Sequence, residues 1–320
     1  MAGVLVGIDL GGTNVRAGLV SPGGKLLRWK GSPIQAQLGP QPGVERISAL
    51  VHSLVEEAGS PILGIGIGST GPVDRRLGAI QNPYTLPGWE NVDIVSPLRE
   101  RFGVPVVLEN DADAAALGEA WLGAGRGMRR MAMVTVGTGI GFAFIHDGAI
   151  YRGMEGIHPE GGHIPIDPAG PECYCGAHGC LESLTAGPGI ARLAQAAACP
   201  GSRMLDLAGG RLAAVDARIL VRAAREGDPA AREVVEKVAF YLGLGLVNII
   251  MLFVPEGIVM GGGVMEEFDL FAPGMRAVVD RHNIMVPADR VKILKSALEG
   301  QSGVLGAARA AYQFIEEHNS

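Results

Sequence analysis

The sequence predicts an α/β protein made of two related domains. A pattern of strand, Gly/Thr loop, strand, turn and strand occurs in residues 4–30 and again in residues 133–152. A repeated pattern of this kind predicts two domains that share one design. The length of 320 residues, with 48% hydrophobic and 19% charged side chains, also suits an ordinary globular protein of two domains.

The first repeat starts with an apolar strand, residues 4–9, that ends at Asp9. Apolar side chains then alternate over residues 15–19, which predicts a second strand. The turn Ser21-Pro-Gly-Gly24 leads into a third strand, predicted over residues 25–30. Asp9 is therefore expected at the end of a buried strand, facing the loop that follows it.

The loop after this strand has the composition of a phosphate-binding turn. A dinucleotide-binding motif would lead from the glycines into a helix, and a Walker loop would need a Lys-Ser/Thr pair, so neither applies. Glycines between strands allow backbone N–H groups and a threonine hydroxyl to approach a phosphate, with Asp9 near its Mg²⁺ ion. The position of Asp9 disfavours the alternative of a simple hairpin turn. The residues predicted to face phosphate here are Asp9, Gly11, Gly12, Thr13 and Asn14.

The second repeat has the same design. A strand starting at Met133 leads into a loop, a further strand over residues 142–146, a hairpin turn at Asp147-Gly148 and a strand over residues 149–152. The loop residues predicted to face phosphate are Gly137, Thr138, Gly139 and Gly141. Two such loops resemble the phosphate motifs of the superfamily of actin, sugar kinases and heat-shock chaperone ATPases. The resemblance implies a two-domain actin-like ATPase fold, also called ribonuclease H-like, with a ligand cleft between the domains.

Three cysteines and a histidine have the spacing of a zinc site. Cys173, Cys175 and Cys180 lie within eight residues, and His163 precedes the first of them by ten positions. Three thiolates and one imidazole form a tetrahedral site without an open position, so the Zn²⁺ ion is expected to be structural. His178 is the alternative fourth ligand, and His163 is preferred because it would tie two segments together. A disulfide is disfavoured because Cys173 and Cys175 are too close in sequence to pair comfortably and no signal peptide precedes them.

Charge and hydropathy argue against two classes of partner. The formal net charge is -6, and no cluster of lysines and arginines provides a surface for nucleic acid. The longest apolar run, residues 239–254, is short for a membrane span and ends before Pro255, which predicts a buried helix. We therefore expect a cytoplasmic protein that binds neither nucleic acid nor a membrane.

Seven motifs in order carry a family resemblance. They are Asp9-Leu-Gly-Gly-Thr13, residues 64–74, Leu86-Pro-Gly-Trp89, residues 109–118, residues 137–141, Glu160-Gly-Gly-His163 and the run Cys-x-Cys-Gly-x-x-Gly-Cys-x-Glu that ends at Glu182. Together they resemble the ROK family of repressors, open reading frames and kinases, and most of all its bacterial glucokinases. The resemblance extends from Val4 to about Tyr312. Several of these motifs are weak alone, whereas the ordered set is very specific.

The resemblance implies a hexose kinase in which Asp111 is the catalytic base. Asn110, Asp111 and Asp113 lie between a predicted buried strand, residues 104–108, and an Ala-rich helix, so a helix cap is an alternative role for each. In phosphoryl transfer to a hydroxyl, one carboxylate accepts the proton, while most of the acceleration comes from positioning and charge neutralisation. Asp113 is the second candidate for the base.

Sugar hydroxyls are neutral donors and acceptors, so a hexose pocket favours carboxylates, amides and imidazoles. The hexose-binding residues implied by the resemblance are Gly71, Asn110, Asp111, Glu160, His163 and Glu182. His163 would bind zinc through one ring nitrogen and the sugar through the other. Gly261 and Gly262, which follow a predicted strand over residues 257–260, resemble the family's loop on the adenosine side. A strand-to-helix turn is their alternative role.

Two departures from the glucokinase pattern leave the hexose open. His158-Pro159 precedes Glu160 and resembles the family's fructokinases, and Thr85 stands where an asparagine commonly precedes Leu-Pro-Gly-Trp. The expected reaction transfers the γ-phosphoryl group of ATP to the 6-hydroxyl of glucose. Mannose, fructose and N-acetylmannosamine remain alternative acceptors, and polyphosphate remains an alternative donor.

Two other functional classes are disfavoured. A sugar-responsive repressor of the same family would carry a helix-turn-helix domain before the sugar-binding part, whereas the first phosphate strand begins at about Val4. A non-catalytic sugar sensor would be expected to have lost Asp9 or Asp111, and both are present.

The expected architecture has a small α/β domain, residues 1–112, to which a C-terminal helix over residues 303–320 returns. Residues 113–302 form the large α/β domain with the zinc-binding loop. The cleft is expected to bind a hexose and MgATP and to close over them, which excludes water. The expected cofactors are ATP, Mg²⁺ and structural Zn²⁺, and the expected assembly is a homodimer or homotetramer.

Overall fold

The structure is a computed structural model that describes residues 3–282 and 284–318. The strands are β1 (Val4–Leu10), β2 (Asn14–Val20), β3 (Leu26–Pro33), β4 (Ile62–Ser69), β5 (Val73–Asp74), β6 (Ala79–Asn82), β7 (Trp89–Asp93), β8 (Val106–Asn110), β9 (Arg130–Val136), β10 (Ile140–His146), β11 (Ala149–Ile150), β12 (Gly257–Gly261) and β13 (Lys292–Lys295). The helices are α1 (Pro40–Glu56), α2 (Val95–Phe102), α3 (Asp111–Leu122), α4 (Leu181–Thr185), α5 (Gly187–Ala197), α6 (Arg203–Leu207), α7 (Ala217–Arg225), α8 (Pro229–Phe253), α9 (Phe268–Asp280) and α10 (Ser302–His318). Short 3-10 helices lie at Ala36–Leu38, Met154–Gly156, Gly161–His163, Leu212–Ala214, Gly263–Glu267 and Ala288–Arg290.

The described residues fall into two compact units. Unit 1 contains residues 3–129, 143–158 and 296–318, and unit 2 contains residues 130–142 and 159–295. The chain passes from unit 2 into unit 1 within β10. Unit 1 also includes a small three-stranded sheet of order β5-β6-β7.

Two five-stranded sheets repeat the same strand order. One has the order β3-β2-β1-β4-β8 and the other has the order β11-β10-β9-β12-β13. The strands β1, β4 and β8 are parallel, as are β9, β12 and β13, whereas β2–β3 and β10–β11 are antiparallel hairpins. This duplication confirms the predicted α/β fold class and the repeated design of strand, loop, strand, turn and strand.

The sheet of unit 1 is buried on both faces because side chains of one strand alternate between them. Val6 and Ile8 of β1 pack in a cluster with α1 and α2, to which Val51 and Leu98 contribute. Leu5, on the opposite face, packs in a second cluster with α10. The carboxyl ends of β1, β4 and β8 therefore emerge side by side from a rigid core.

The C-terminal helix α10 packs against β1, β4 and α3 within unit 1. The approach is so close that a β-carbon on Gly66 would overlap the carbonyl oxygen of Ala307, and one on Gly306 would overlap that of Ala114. Because α10 packs along α3, the whole of α3 belongs to unit 1. The expected boundary at residue 112 falls inside this helix, and residues 143–158 lie in unit 1, whereas the expected large domain of residues 113–302 includes them.

Helix α8 is the core of the helical part of unit 2. Asp228 caps its first turn by accepting the Ala231 N–H at 2.9 Å, and the helix ends at Phe253, with Val254 as its C-cap before Pro255. It packs against α4, α5, α7 and α9. Within the described residues, α8 is the helix long and apolar enough to cross a membrane, but 61% of its most apolar window is buried in the fold. The predicted buried helix over residues 239–254 is the second half of α8.

Candidate functional site

The loop after Asp9 is a tight connection between β1 and β2. The N–H of Gly11 donates to the carbonyl of Asn14 at 3.0 Å. Asp9 faces Arg16 across the hairpin, and Arg16 Nη1 lies 3.7 Å from Asp9 Oδ2. A β-carbon on Gly303 would lie 2.9 Å from Asp9 Cγ, so the first turn of α10 lies against this carboxylate. Burial raises the pKa of Asp9, and the charge of Arg16 opposes that rise.

A polar cluster supports the same loop from the side of β6. Asn82 is fully buried, and its Nδ2 donates to Thr85 Oγ1 at 2.6 Å, while the Thr85 and Thr70 hydroxyls lie 3.2 Å apart. A β-carbon on Gly12 would lie 2.7 Å from the Thr85 carbonyl oxygen, so this cluster limits the space beside the loop. Thr13 is exposed beside it. The sequence reasoning missed Asn82, for which the only signal is the Asn-Pro dipeptide of a turn.

Asn110 and Asp111 stand at the end of β8, where α3 begins. Asn110 is the N-cap of α3, and its Oδ1 accepts the Ala112 N–H at 2.8 Å. Asp111 Oδ1 accepts the same N–H at 2.8 Å. A β-carbon on Gly71 would lie 2.6 Å from Asn110 Nδ2. The predicted cap alternative therefore holds for Asn110, and three predicted hexose-binding residues, Gly71, Asn110 and Asp111, lie together in unit 1.

Burial raises the pKa of Asp111 to about 7, and the nearby charges of Asp9 and Asp113 act in the same direction. The N–H of Ala112 and the charge of His158 oppose the rise. Asp9 acts on Asp111 because β1, β4 and β8 are neighbouring parallel strands that end at the same edge. A carboxylate with a pKa near neutrality is suited to general base catalysis at neutral pH.

The carboxylate of Asp113, the second candidate for the base, is already bound by other side chains. Asp113 is 1% exposed, with Arg152 Nη1 3.2 Å from its Oδ2 and His158 Nδ1 3.1 Å from its Oδ1. Arg152 Nη2 also lies 2.7 Å from Glu109 Oε2, and Glu109 is held in turn by Arg75 at 2.7 Å. Asp113 is therefore part of a buried ionic network. The sequence reasoning did not foresee this network, which joins residues distant along the chain.

The loop of the second repeat is supported by the helices that follow it in unit 2. The N–H of Gly137 donates to the Gly139 carbonyl at 2.9 Å, and the Gly137 carbonyl accepts the Gly187 N–H at 2.8 Å. Glu182 Oε2 accepts the Ile140 N–H at 2.7 Å. A β-carbon on Gly139 would lie 2.6 Å from the same carboxylate oxygen. Glu182, predicted only as a hexose ligand, thus also supports the predicted phosphate loop.

The remaining predicted nucleotide residues lie at strand ends. Thr138 is exposed at the tip of its loop, and Gly141 lies in β10. Gly261 is the last residue of β12. Gly262 follows with φ 88°, and a β-carbon on it would overlap the backbone of Val136 in β9. A 3-10 helix follows from Gly263. The alternative of a strand-to-helix turn therefore describes the local structure of Gly261 and Gly262.

The predicted zinc ligands converge on one point. His163 Nδ1 lies 3.4 Å from Cys173 Sγ, and the Cys175 and Cys180 Sγ atoms lie 3.6 Å apart. All four ligand atoms lie within 4.8 Å of one another. A tetrahedral Zn²⁺ ion with Zn–S bonds of about 2.3 Å has ligand–ligand edges of about 3.8 Å, so these distances fit the ion. The converging group contains His163 and not the alternative ligand His178.

The second ring nitrogen of His163 meets a residue that the sequence reasoning missed. His163 Nε2 lies 3.0 Å from Tyr174 Oη, and the two rings are edge-on with centroids 5.0 Å apart. Partial burial raises the pKa of Tyr174, and the nearby Glu182 and Glu160 carboxylates act in the same direction. The three predicted hexose residues of unit 2, Glu160, His163 and Glu182, therefore surround Tyr174. The sequence contains no signal for this role, because Tyr174 occupies the variable position of the Cys-x-Cys motif.

The sequence pattern of the ROK family matches residues 5–313 of this chain. The chain belongs to the ROK family. It is 36% identical over 309 residues to a glucokinase of Thermotoga maritima, with 95% of this chain and 96% of that protein covered. The ROK family glucokinase from Streptomyces griseus in complex with glucose and AMPPNP superposes with a TM-score of 0.84 at 33% identity, covering 97% of this chain and 100% of that chain. The xylose repressor of Bacillus subtilis, another relative, is 27% identical over 95% of this chain and 76% of its own length.

Proposed function

We propose that the protein is an ATP-dependent hexose kinase that transfers the γ-phosphoryl group of ATP to the 6-hydroxyl of glucose. The observation that carries this proposal is Asp111, whose pKa is raised to about 7 and which stands beside Asn110 and Gly71 at a strand end. Membership of the ROK family and the similarity to a glucokinase with bound glucose and AMPPNP support it.

Asp111 is the catalytic base in this proposal. Its carboxylate accepts the proton of the attacking sugar hydroxyl while the hydroxyl oxygen bonds to the γ-phosphorus and ADP leaves. Asn110 is suited to orient that hydroxyl, because its Oδ1 is used in the helix cap and its Nδ2 remains on the side of Gly71. Asp113 is unsuited to the role of base because Arg152 and His158 already bind its carboxylate.

We assign the two glycine loops to the nucleotide phosphates, and Asp9 to Mg²⁺ through the water shell of that ion. Mg²⁺, when bound, neutralises phosphate charge. The residues of this assignment are Asp9, Gly11, Gly12, Thr13, Asn14, Gly137, Thr138, Gly139 and Gly141, with Gly261 and Gly262 on the adenosine side. The hairpin bond between Gly11 and Asn14 and the support of Ile140 by Glu182 both hold backbone N–H groups in defined loops.

Glu160, His163 and Glu182 of unit 2 complete the proposed set of hexose ligands, and a structural Zn²⁺ ion would hold the loop beside them. The ion would be bound by His163, Cys173, Cys175 and Cys180, whose ligand atoms converge as a tetrahedral site requires. A closed site of this kind orients its neighbours without taking part in the reaction.

A coupled-enzyme assay tests the proposal and identifies the acceptor and donor. The assay compares glucose, mannose, fructose and N-acetylmannosamine as acceptors, each with ATP or polyphosphate as donor. We expect glucose with ATP to have the highest kcat/KM. A higher kcat/KM for fructose would show that His158-Pro159 marks the acceptor, and no turnover with any hexose would contradict the proposal.

We further infer a cytoplasmic homodimer or homotetramer. The apolar side chains of Phe240 and Leu252, 45% and 70% exposed on α8, support self-association, because large exposed apolar groups favour burial between subunits. Analytical ultracentrifugation across a concentration series measures this. A monomer at all concentrations would contradict the inferred assembly but not the inferred activity.

A further inference from the structure

In the sequence, Tyr174 lies between the proposed zinc ligands Cys173 and Cys175, and its side chain contacts His163, a proposed hexose ligand. Its hydroxyl lies 3.0 Å from His163 Nε2 and close to the Glu182 carboxylate. The side chain is 64% exposed. Apart from these polar contacts, its ring meets the edge of the His163 imidazole. Tyr174 is thus held chiefly by groups that a hexose would also use.

The proton positions follow from the geometry of His163. Its Nδ1 faces Cys173 Sγ at 3.4 Å, on the side of the proposed metal ligands, so with Zn²⁺ bound at Nδ1 the proton of the neutral imidazole would reside on Nε2. Nε2–H would then donate to Tyr174 Oη, and the tyrosine hydroxyl would be able to donate to the nearby Glu182 carboxylate.

A hydroxyl that accepts from an imidazole and donates to a carboxylate makes the bonds that a sugar hydroxyl makes in the same place. We propose that Tyr174 is an internal competitor of the hexose, whose hydroxyl occupies His163 and Glu182 in the free protein and is displaced when the sugar binds. This inference rests on the proposed function. Its consequence is that the measured sugar affinity is reduced by the fraction of molecules in which Tyr174 occupies the site.

The same contact would hold the proposed hexose ligands in place before a sugar binds. Glu182 accepts the Ile140 N–H of the proposed phosphate loop, and Tyr174 lies between that carboxylate and His163. A hexose hydroxyl would replace this link without unpairing His163 or Glu182. Because Tyr174 is largely exposed, its side chain can rotate towards solvent with little loss of packing.

The test is the substitution Tyr174→Phe, which keeps the ring and removes the hydroxyl. Calorimetric titration of zinc-loaded protein with glucose, without nucleotide, should give a dissociation constant about 2- to 10-fold lower than that of the unmodified protein, as expected for a lost competing hydrogen bond. The KM for glucose should fall in parallel, and kcat should stay the same.

Tyr241→Phe is the matched control in the same unit. The Tyr241 hydroxyl donates to Asp167 Oδ2 at 3.0 Å, so this variant also loses a bond between tyrosine and carboxylate, but away from the proposed hexose ligands. Its glucose affinity should equal that of the unmodified protein. Tighter binding by both variants would overturn the proposal, because the effect would not belong to the site.

A structure of the unmodified protein with glucose provides a second, independent measurement. Tyr174 Oη should then lie beyond hydrogen-bonding distance of His163 Nε2. Unchanged or weaker glucose binding by Tyr174→Phe, or a retained contact in the glucose complex, would overturn the proposal and show that Tyr174 is structural or a direct sugar contact. Failure of the unmodified protein to bind any hexose would overturn the proposed function as well, so the two failures are distinguishable.

Discussion

Asp113 forms a buried ion pair with Arg152, whose Nη1 lies 3.2 Å from the carboxylate Oδ2. This pair distinguishes two acids that lie two positions apart in the same helical turn. Asp113 is bound by Arg152 and His158, whereas Asp111 has neighbouring carboxylates and a raised pKa. The surroundings therefore indicate a structural role for Asp113 and leave Asp111 available for proton transfer.

Asp111→Ala should leave the protein folded and lower kcat by about 10²- to 10⁴-fold, because a general base is lost. Glucose affinity should change far less than kcat. Steady-state kinetics, with circular dichroism as a check of folding, measure both effects. Near-normal turnover by a well-folded Asp111→Ala protein would contradict the assignment.

Asp113→Ala should act first on stability. Removal of one partner of a buried ion pair leaves the other charge uncompensated and typically costs about 3–5 kcal/mol. We expect a clearly lower denaturant midpoint, and kcat reduced much less than in Asp111→Ala. Chemical denaturation of the two variants makes the comparison, and a catalytic loss in Asp113→Ala as large as that in Asp111→Ala would contradict the division of roles.

The rate should depend on the ionisation of Asp111. Because a base acts only when deprotonated, kcat/KM should increase as pH rises through about 7, the pKa of Asp111. Well below that pH, each further unit of acidification should lower kcat/KM about tenfold. Asp9→Asn removes a charge that raises this pKa, so its acid limb should shift to lower pH. Rate profiles of both proteins between pH 5 and 9, at saturating MgATP, provide the measurement, and a profile without an acid limb near neutrality would oppose the assignment.

The same pKa has a consequence for stability. The folded-state pKa of Asp111 is raised above its usual value of 3.8, so the folded protein holds a proton that the unfolded chain releases. The stabilising contribution is complete below pH 3.8 and is lost as pH rises through about 7. Asp111→Asn removes this pH dependence of stability. The difference in the free energy of unfolding between the variant and the unmodified protein should therefore change between pH 3.8 and about 7.

Asp9→Asn should also impair the use of MgATP more than the binding of glucose, because Asp9 is proposed to act through Mg²⁺. The KM for MgATP should rise and kcat should fall, with the glucose dissociation constant nearly unchanged. Substitutions of Thr13 and Thr138 should have milder effects of the same kind. Unaltered ATP kinetics combined with weakened glucose binding would reverse the assignment of the two ligands.

The purified protein should contain about one Zn²⁺ ion per chain, bound by His163 and the three cysteines of the loop. Cys175→Ser should lower glucose affinity under conditions in which the protein is still folded. Because Glu182 also supports Ile140, loss of zinc should raise the KM for ATP to a smaller extent. Elemental analysis with kinetics of the metal-depleted protein measures this, and glucose kinetics that do not change on metal removal would contradict it.

Two histidine variants separate the alternative zinc ligands. His163→Ala should lose both zinc and glucose binding, whereas His178→Ala should keep its zinc, since the ligand atoms converge on His163. If His178 is the true ligand, His178→Ala would lose zinc, and His163→Ala would keep zinc but lose glucose binding.

Local patterns were sufficient for several elements of the fold and site. The alternation over residues 15–19, the Asp147-Gly148 turn and the Asp9 strand end are all present in the structure as β2, the turn between β10 and β11, and β1. The spacing of the three cysteines likewise predicted their convergence with His163. These features depend on neighbours along the chain, whose geometry is set by backbone periodicity and short loops.

The sequence by itself determined the α/β class, the duplicated strand–loop–strand design, the family and the candidate residues, because each is encoded in short ordered motifs. Only the tertiary structure decided the roles of residues that are not neighbours in the sequence but meet in the fold. The Arg152–Asp113 pair, the Glu182 bond to Ile140 and the contact of Tyr174 with His163 all depend on how loops and helices pack. The pKa of Asp111 depends on burial and on Asp9, about a hundred residues away, since electrostatic effects follow distance in space rather than along the chain.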